Sequence, residues 1–151
     1  MTFILSLVYW RFFIYSITNK GERELASLGQ HFLIEYYDCN PVILDDLEAI
    51  KEIMLTAAKK SGATILNNFL HKFSPQGVSG VVIIAESHLA IHTWPENNYA
   101  GADFFTCGTR VDPLIAYEYI KQQLECKYSN YTKLDRGKIE EIEKAAGHSS
   151  I

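Results

Sequence analysis

Glu86, Ser87 and His88 follow one another, and His92 comes four residues after His88. A strand period of two sets His88, Ala90 and His92 on one face. Three readings of that cluster are open. Two imidazoles can hold a metal, but neither the H-E-x-x-H helix nor a clear third carboxylate ligand is present, so no metal is expected. The Ser87 hydroxyl can serve a hydrolase as nucleophile, but the G-x-S-x-G elbow is absent. The third reading is plain: polar residues on an ordinary strand. Cys107, in FFTCG (104–108), has an equally plain reading as a small buried hydrophobe.

The elements that must carry these residues follow from the pattern. HFLIEYYD (31–38) is rich in aromatic and branched residues and predicts a strand. Asn40 and Pro41 start a helix as N-cap and first helical residue. Leu44, Leu47, Ile50, Met54, Ala57 and Ala58 continue it at helical spacing, and Gly62 ends it. ATILNNFLHKF (63–73), VSGVVIIAE (78–86), HLAIHTW (88–94) and YAGADFFTC (99–107) predict four further strands. Ser74-Pro75-Gln76-Gly77 is turn chemistry, and Pro95 closes the strand before it. Asp112-Pro113 opens a second helix over LIAYEYIKQQLEC (114–126). The segment after Lys127 reads as a polar tail, ordered at most in part. The order β-α-β-β-β-β-α predicts an α+β fold, a two-layer α/β sandwich. Its sheet is mainly antiparallel, with helices on one face.

Composition narrows the function. The 151 residues make one ordinary domain, large enough to need no metal or disulfide staple. A net charge of −4 argues against a nucleic-acid partner, since duplex binding shows a basic face. Three scattered cysteines do not make a secreted disulfide framework, and no C-x-x-C pair is present. Residues 3–17, FILSLVYWRFFIYSI, stand apart. The run is shorter than the ~20 residues of a spanning helix and has Arg11 at its centre. It lacks the basic start and small-residue cleavage site of a signal peptide. A membrane-surface segment, an added core element and a mis-assigned start all remain open for it. The chain thus divides into an apolar extension (1–27), the patterned domain (28–126) and the polar tail (127–151).

Taken as a whole, HKFSPQGVSGVVIIAESHLAIHTWPE (71–96) with ADFFTCG (102–108) resembles the bacterial and archaeal S-adenosylmethionine decarboxylase proenzymes. LGQHFLIEYYDCNP (28–41) is similar to that family's opening strand, and VDPLIAYEYI (111–120) to its closing helix. The resemblance covers roughly residues 28–126. It implies a cytoplasmic enzyme that cuts itself between Glu86 and Ser87 and turns Ser87 into a pyruvoyl group. That group would form a Schiff base with the substrate amine, in place of pyridoxal phosphate. The decarboxylated product would be an aminopropyl donor for spermidine synthesis.

The resemblance also implies roles. Ser79 would support the oxyanion of the N-to-O acyl shift, and His92 would be the base that takes the Ser87 Cα proton, a task imidazole suits near neutral pH. Cys107 would be the proton donor in turnover. Phe73 would stack on the adenine, and Glu96 would take the ribose hydroxyls. Gly77 and Gly80, which flank Ser79, permit close backbone approach, with a packing or turn role equally open. Trp94 reads as a packing anchor, and Cys39 and Cys126 as structural. His31, Glu35 and Tyr37 are in a position to line the site, and His88 receives no role. A homodimer of αβ units with shared sites is expected. The alternatives are the same chemistry on arginine or ornithine, a binding module that never processes, and a membrane-tethered scaffold resting on residues 3–17.

Overall fold

The structure, a computed structural model, describes residues 27–147. The apolar run at residues 3–17 and its three readings lie outside the described residues.

Strand β1 runs Ser27–Tyr37 and is followed by two helices, α1 (Pro41–Leu44) and α2 (Leu47–Lys60). Strands β2 (Ile65–Lys72), β3 (Val78–Ile84), β4 (Ser87–Trp94) and β5 (Tyr99–Cys107) come next, with a 3-10 turn at Pro95–Asn97. Helix α3 (Pro113–Gln123), strand β6 (Tyr128–Lys138) and helix α4 (Ile139–Ala145) complete the fold. The six strands form one sheet in the order β2-β3-β4-β5-β1-β6, antiparallel at every pairing.

Two expectations need correcting. The single helix begun at Asn40 is two helices. Asn40 caps α1 by accepting from the Val42 N–H, and Asp46 then starts α2 by accepting from Glu48 and Ala49. A second N-cap in mid-run is a break signal that apolar spacing overrides. The polar tail is also wrong as read. The eleven residues after Lys127 are β6, paired with β1 from Ser27↔Lys138 to Tyr37↔Tyr128. β6 is an edge strand, and an edge needs little apolar character because most of it faces water. Tyr131 is the side chain that anchors it inward, against Phe32 and Tyr117, and Ser129 bonds the Tyr117 hydroxyl at 2.6 Å.

Helices α2 and α3 cover one face of the sheet. Ile34, Tyr36, Val82, Leu89, Ile91 and Phe104 are buried against Ile50, Met54, Ala57 and Ile120. The Tyr36 hydroxyl, buried in that layer, donates to the Tyr117 carbonyl at 3.1 Å. Cys39 and Cys126, 87 residues apart, are joined as a disulfide. The pairing was not legible, because nothing local connects two cysteines so far apart in sequence.

Helices α2 and α3 leave the other sheet face open. Registers set its side chains in transverse rows. One row is Asn67, Ile83, His88, Phe105, His31 and Leu134. Another, four residues farther along each strand, contains His71, Ser79, His92, Gly101 and Glu35. Phe69, Ile83, Trp94 and Leu134 on this face are exposed.

Candidate functional site

Ala85 and Glu86 form the tight turn between β3 and β4, and Ser87 opens β4. Three hydrogen bonds hold that turn from both sides. On the β2 side, Thr64 N–H donates to the Glu86 carboxylate at 3.0 Å, and Ala85 N–H donates to the Thr64 carbonyl at 2.8 Å. On the β5 side, Cys107 N–H donates to the Glu86 carbonyl at 2.9 Å. Ser87 has φ +143°, a backbone region that only glycine occupies easily. Its hydroxyl lies 3.2 Å from His88 Nδ1. Directly across in register is Thr106, whose buried hydroxyl has no hydrogen-bond partner among the described residues. The Cys107 thiol is free and the residue is exposed, not the small buried hydrophobe of the plain reading, while desolvation at the sulfur pushes its pKa up.

A second group lies at the far end of the same face. Ser79 and His92 face each other across β3 and β4, and Ser79 Oγ is 2.7 Å from His92 Nδ1. Trp94 packs beside His92 and against Tyr99, and the Tyr99 hydroxyl donates to the Glu35 carboxylate. Tyr37 meets Tyr99 at 5.5 Å between ring centroids. Glu35 and Tyr37 therefore line this end of the face, and His31 lines the end near Ser87. Trp94 packs as expected yet stays exposed.

The turn from β2 to β3 presents the expected binding residues. Phe73 is half exposed, edge-on to His71, and its N–H donates to the Gly77 carbonyl at 2.8 Å. Gly77 has φ +96°, and a Cβ there would come within 2.9 Å of the Thr93 carbonyl, so a side chain would displace the turn. Asp45 at the end of α1 accepts from Gly77 N–H at 2.9 Å. That bond, helped by Lys72, holds its carboxyl below the usual range. Glu96, in the 3-10 turn, accepts from the Gln76 side-chain amide at 3.0 Å. Pro41, Val42, Asp45, Gln76, Pro95 and Glu96 line a shallow cleft of about 450 Å³ here. Gly80 faces Leu70, not the site, so its role is packing.

The structure thus brings Ser79 to His92, Cys107 to the Glu86–Ser87 peptide, and Glu96 to the Phe73 turn. It does not bring Ser79, opposite His92 in register, to Ser87 within one chain, nor His92 to Ser87. They lie five residues apart on one strand, about 16 Å by strand rise. The Cys107 amide, Thr64 and Thr106 were missed by sequence reasoning, since their place depends on register across three strands. Among the described residues, no group of three or more His, Cys, Asp or Glu converges as a metal site, and no helix is long and apolar enough to cross a membrane.

Comparisons with known proteins agree on one family. A family model described as S-adenosylmethionine decarboxylase matches residues 30–137. The S-adenosylmethionine decarboxylase proenzyme of Thermosipho melanesiensis is 52% identical over 118 residues, covering 78% of this chain and 91% of that protein. The proenzyme of Moorella thermoacetica is 50% identical over 122 residues, 81% of this chain and 98% of that one. Among solved structures, the adenosylmethionine decarboxylase of Aquifex aeolicus superposes with a TM-score of 0.69 at 36% identity. It covers 74% of this chain and 92% of its own.

Proposed function

The chain belongs to the S-adenosylmethionine decarboxylase family, and from that premise we propose that it cuts itself at Glu86–Ser87 and decarboxylates S-adenosylmethionine. Its cofactor is a pyruvoyl group derived from Ser87. One observation carries the reading. The Glu86 carbonyl, which the Ser87 hydroxyl must attack, already accepts a hydrogen bond from Cys107 N–H at 2.9 Å. A donor aimed at an oxygen where negative charge develops stabilises the transition state. The positive φ of Ser87 adds strain of about 1–3 kcal/mol at the bond to be broken.

Attack by Ser87 Oγ on the Glu86 carbonyl carbon converts the peptide bond to an ester. Removal of the Ser87 Cα proton then eliminates the Glu86 carboxylate and cuts the chain, leaving a dehydroalanine that water hydrolyses to the pyruvoyl group with release of ammonia. His92 is the base for that elimination, with Ser79 bonded to its ring. Because His92 stands ~16 Å along the strand from the Ser87 beside it, the His92 that acts comes from a second chain. A two-fold axis near Ala90 and Asp103, midway between the two rows, overlays the His92 end of one sheet on the Ser87 end of the other. The exposed Phe69, Ile83, Trp94 and Leu134 on that face favour such a dimer.

The pyruvoyl group supplies an electron sink for the carbanion left when carbon dioxide departs. Cys107, kept protonated by its raised pKa, returns a proton to the substrate carbon. Phe73 stacks on the adenine, and Glu96, oriented by Gln76, takes the ribose hydroxyls. The site of action in this reading is cytoplasmic, and the product serves spermidine synthesis.

The test is a reducing gel with mass spectrometry of both chains. The larger should end at Glu86, and the smaller should resist Edman sequencing because it has no α-amine. Ser87→Ala should stay intact and inactive, and active enzyme should contain no pyridoxal phosphate. A Ser87→Ala chain that cleaves and decarboxylates would refute the reading.

A further inference from the structure

His88 sits between the Ser87 hydroxyl and an aromatic and charged row that spans three strands. Its ring meets Phe105 edge-on at 6.0 Å and His31 at 6.3 Å. His31 has fixed polarity. Arg136, which can only donate, lies 3.2 Å from His31 Nδ1, so that nitrogen accepts. A proton on His31 is therefore on Nε2, 3.5 Å from the Asp103 carboxylate. The row leaves His88 Nδ1 pointing at one polar group, the Ser87 oxygen at 3.2 Å.

We propose that His88 is the base of the first processing step, taking the Ser87 hydroxyl proton as that oxygen attacks the Glu86 carbonyl. The proposal rests on the self-cleavage reading above. The balance is complete within the chain. The Ser87 Oγ–H proton passes to His88 Nδ1 as the Oγ–C bond forms. The charge develops on the Glu86 oxygen, held by Cys107 N–H. As the Glu86 C–Ser87 N bond breaks, His88 gives the same proton to the departing Ser87 nitrogen. Amide becomes ester, with nothing added or lost. Burial, with His31 next, holds the His88 pKa below the ordinary imidazole range while Asp103 pulls it back. His88 thus stays a free base at neutral pH, as the role requires. His92 of the partner subunit is left with the later proton on Ser87 Cα.

The test follows ester formation separately from elimination. The His92→Ala protein should accumulate ester, and hydroxylamine should then cut it at a rate that reports the first step. Adding His88→Asn, which keeps an oxygen near the Nδ1 position but cannot take a proton, should slow that cut about 10²-fold or more. In the His88→Ala protein, added imidazole should restore cleavage, a recovery that a purely structural role would not give. The trapped-ester rate should fall toward acid only below the ordinary imidazole range. The groups that act on His88 within the chain are His31 and Asp103, and the proposed dimer adds His92 of the partner subunit beside Ser87. A folded His88→Asn protein that forms ester at the parent rate overturns the proposal while wild-type cleavage still stands. A wild-type chain that never cuts at Glu86 overturns the self-cleavage reading instead.

Discussion

If His92 acts across the dimer, two differently disabled chains should repair each other. The two variants are Ser87→Ala and His92→Ala, carrying different affinity tags and produced together. Five residues at ~3.3 Å each separate Ser87 from His92 along β4. A base must come within ~3 Å of its proton. The shortfall of about 13 Å is far beyond any side-chain motion. In a mixed dimer, the intact Ser87 of the His92→Ala chain faces the intact His92 of its partner and should be cut. Random pairing puts about half of the His92→Ala chains into mixed dimers, so about half should be cleaved. Only one site in each mixed dimer can then mature, which gives roughly a quarter of the wild-type sites. Tandem purification through both tags isolates the mixed dimers, and a reducing gel counts cleaved His92→Ala chains. In that fraction every such chain should be cut. Mixed dimers with no cut chain, or a monomeric protein that processes fully, refute the shared site.

Three other outcomes can be stated. Cys107→Ala should still process, since its backbone N–H remains, yet lose ~10²–10⁴-fold in turnover. Because burial raises the thiol pKa, the wild-type alkaline limb should lie above the ordinary thiol range, and a limb at or below it counts against Cys107 as the donor. A Cβ at Gly80 would come within 2.5 Å of Leu70, so Gly80→Ala should cost about 1–3 kcal/mol by denaturant melt, with Leu70→Ala recovering part of it. Cys39 and Cys126 fall on opposite sides of the cut, so thiol-blocked, non-reduced mature protein should run as one species and separate with reductant; two bands without reductant refute the link.

How much of this was legible depends on how local each signal is. β5 agrees with the sequence reading at both ends, Tyr99 and Cys107, because alternation, Pro95 before it and Gly108 after it act within a few residues. The start of α3 was legible for the same reason: Asp112 and Pro113 are a cap and a first-turn residue in sequence. β6 was not, because its order comes from pairing with β1, about a hundred residues earlier. The resemblance grouped Ser79 with His92, and the register sets them 2.7 Å apart. It implied sites shared between two chains but did not place Ser87 at the other end of the face, since a motif written in one line hides the 16 Å rise of a strand. The contact of His88 with Ser87 was overlooked, although the two are adjacent. Strand alternation sends neighbours to opposite faces, and only the unusual φ of Ser87 brings its oxygen round.

The strand order has a consequence for the mature protein. Cleavage before Ser87 would assign β1, β2 and β3 to one polypeptide and β4, β5 and β6 to the other. In the sheet these do not form two blocks. β1, from the first polypeptide, lies between β5 and β6 of the second. Neither piece can rebuild a continuous sheet alone, and parting them means breaking three ladders, at β3–β4, β5–β1 and β1–β6. The uncut precursor renatures as a single chain. The mature protein, once unfolded and reduced, must regain its weave by the encounter of two strangers, so its renaturation should depend on concentration where that of Ser87→Ala subunits up to the dimerisation step does not.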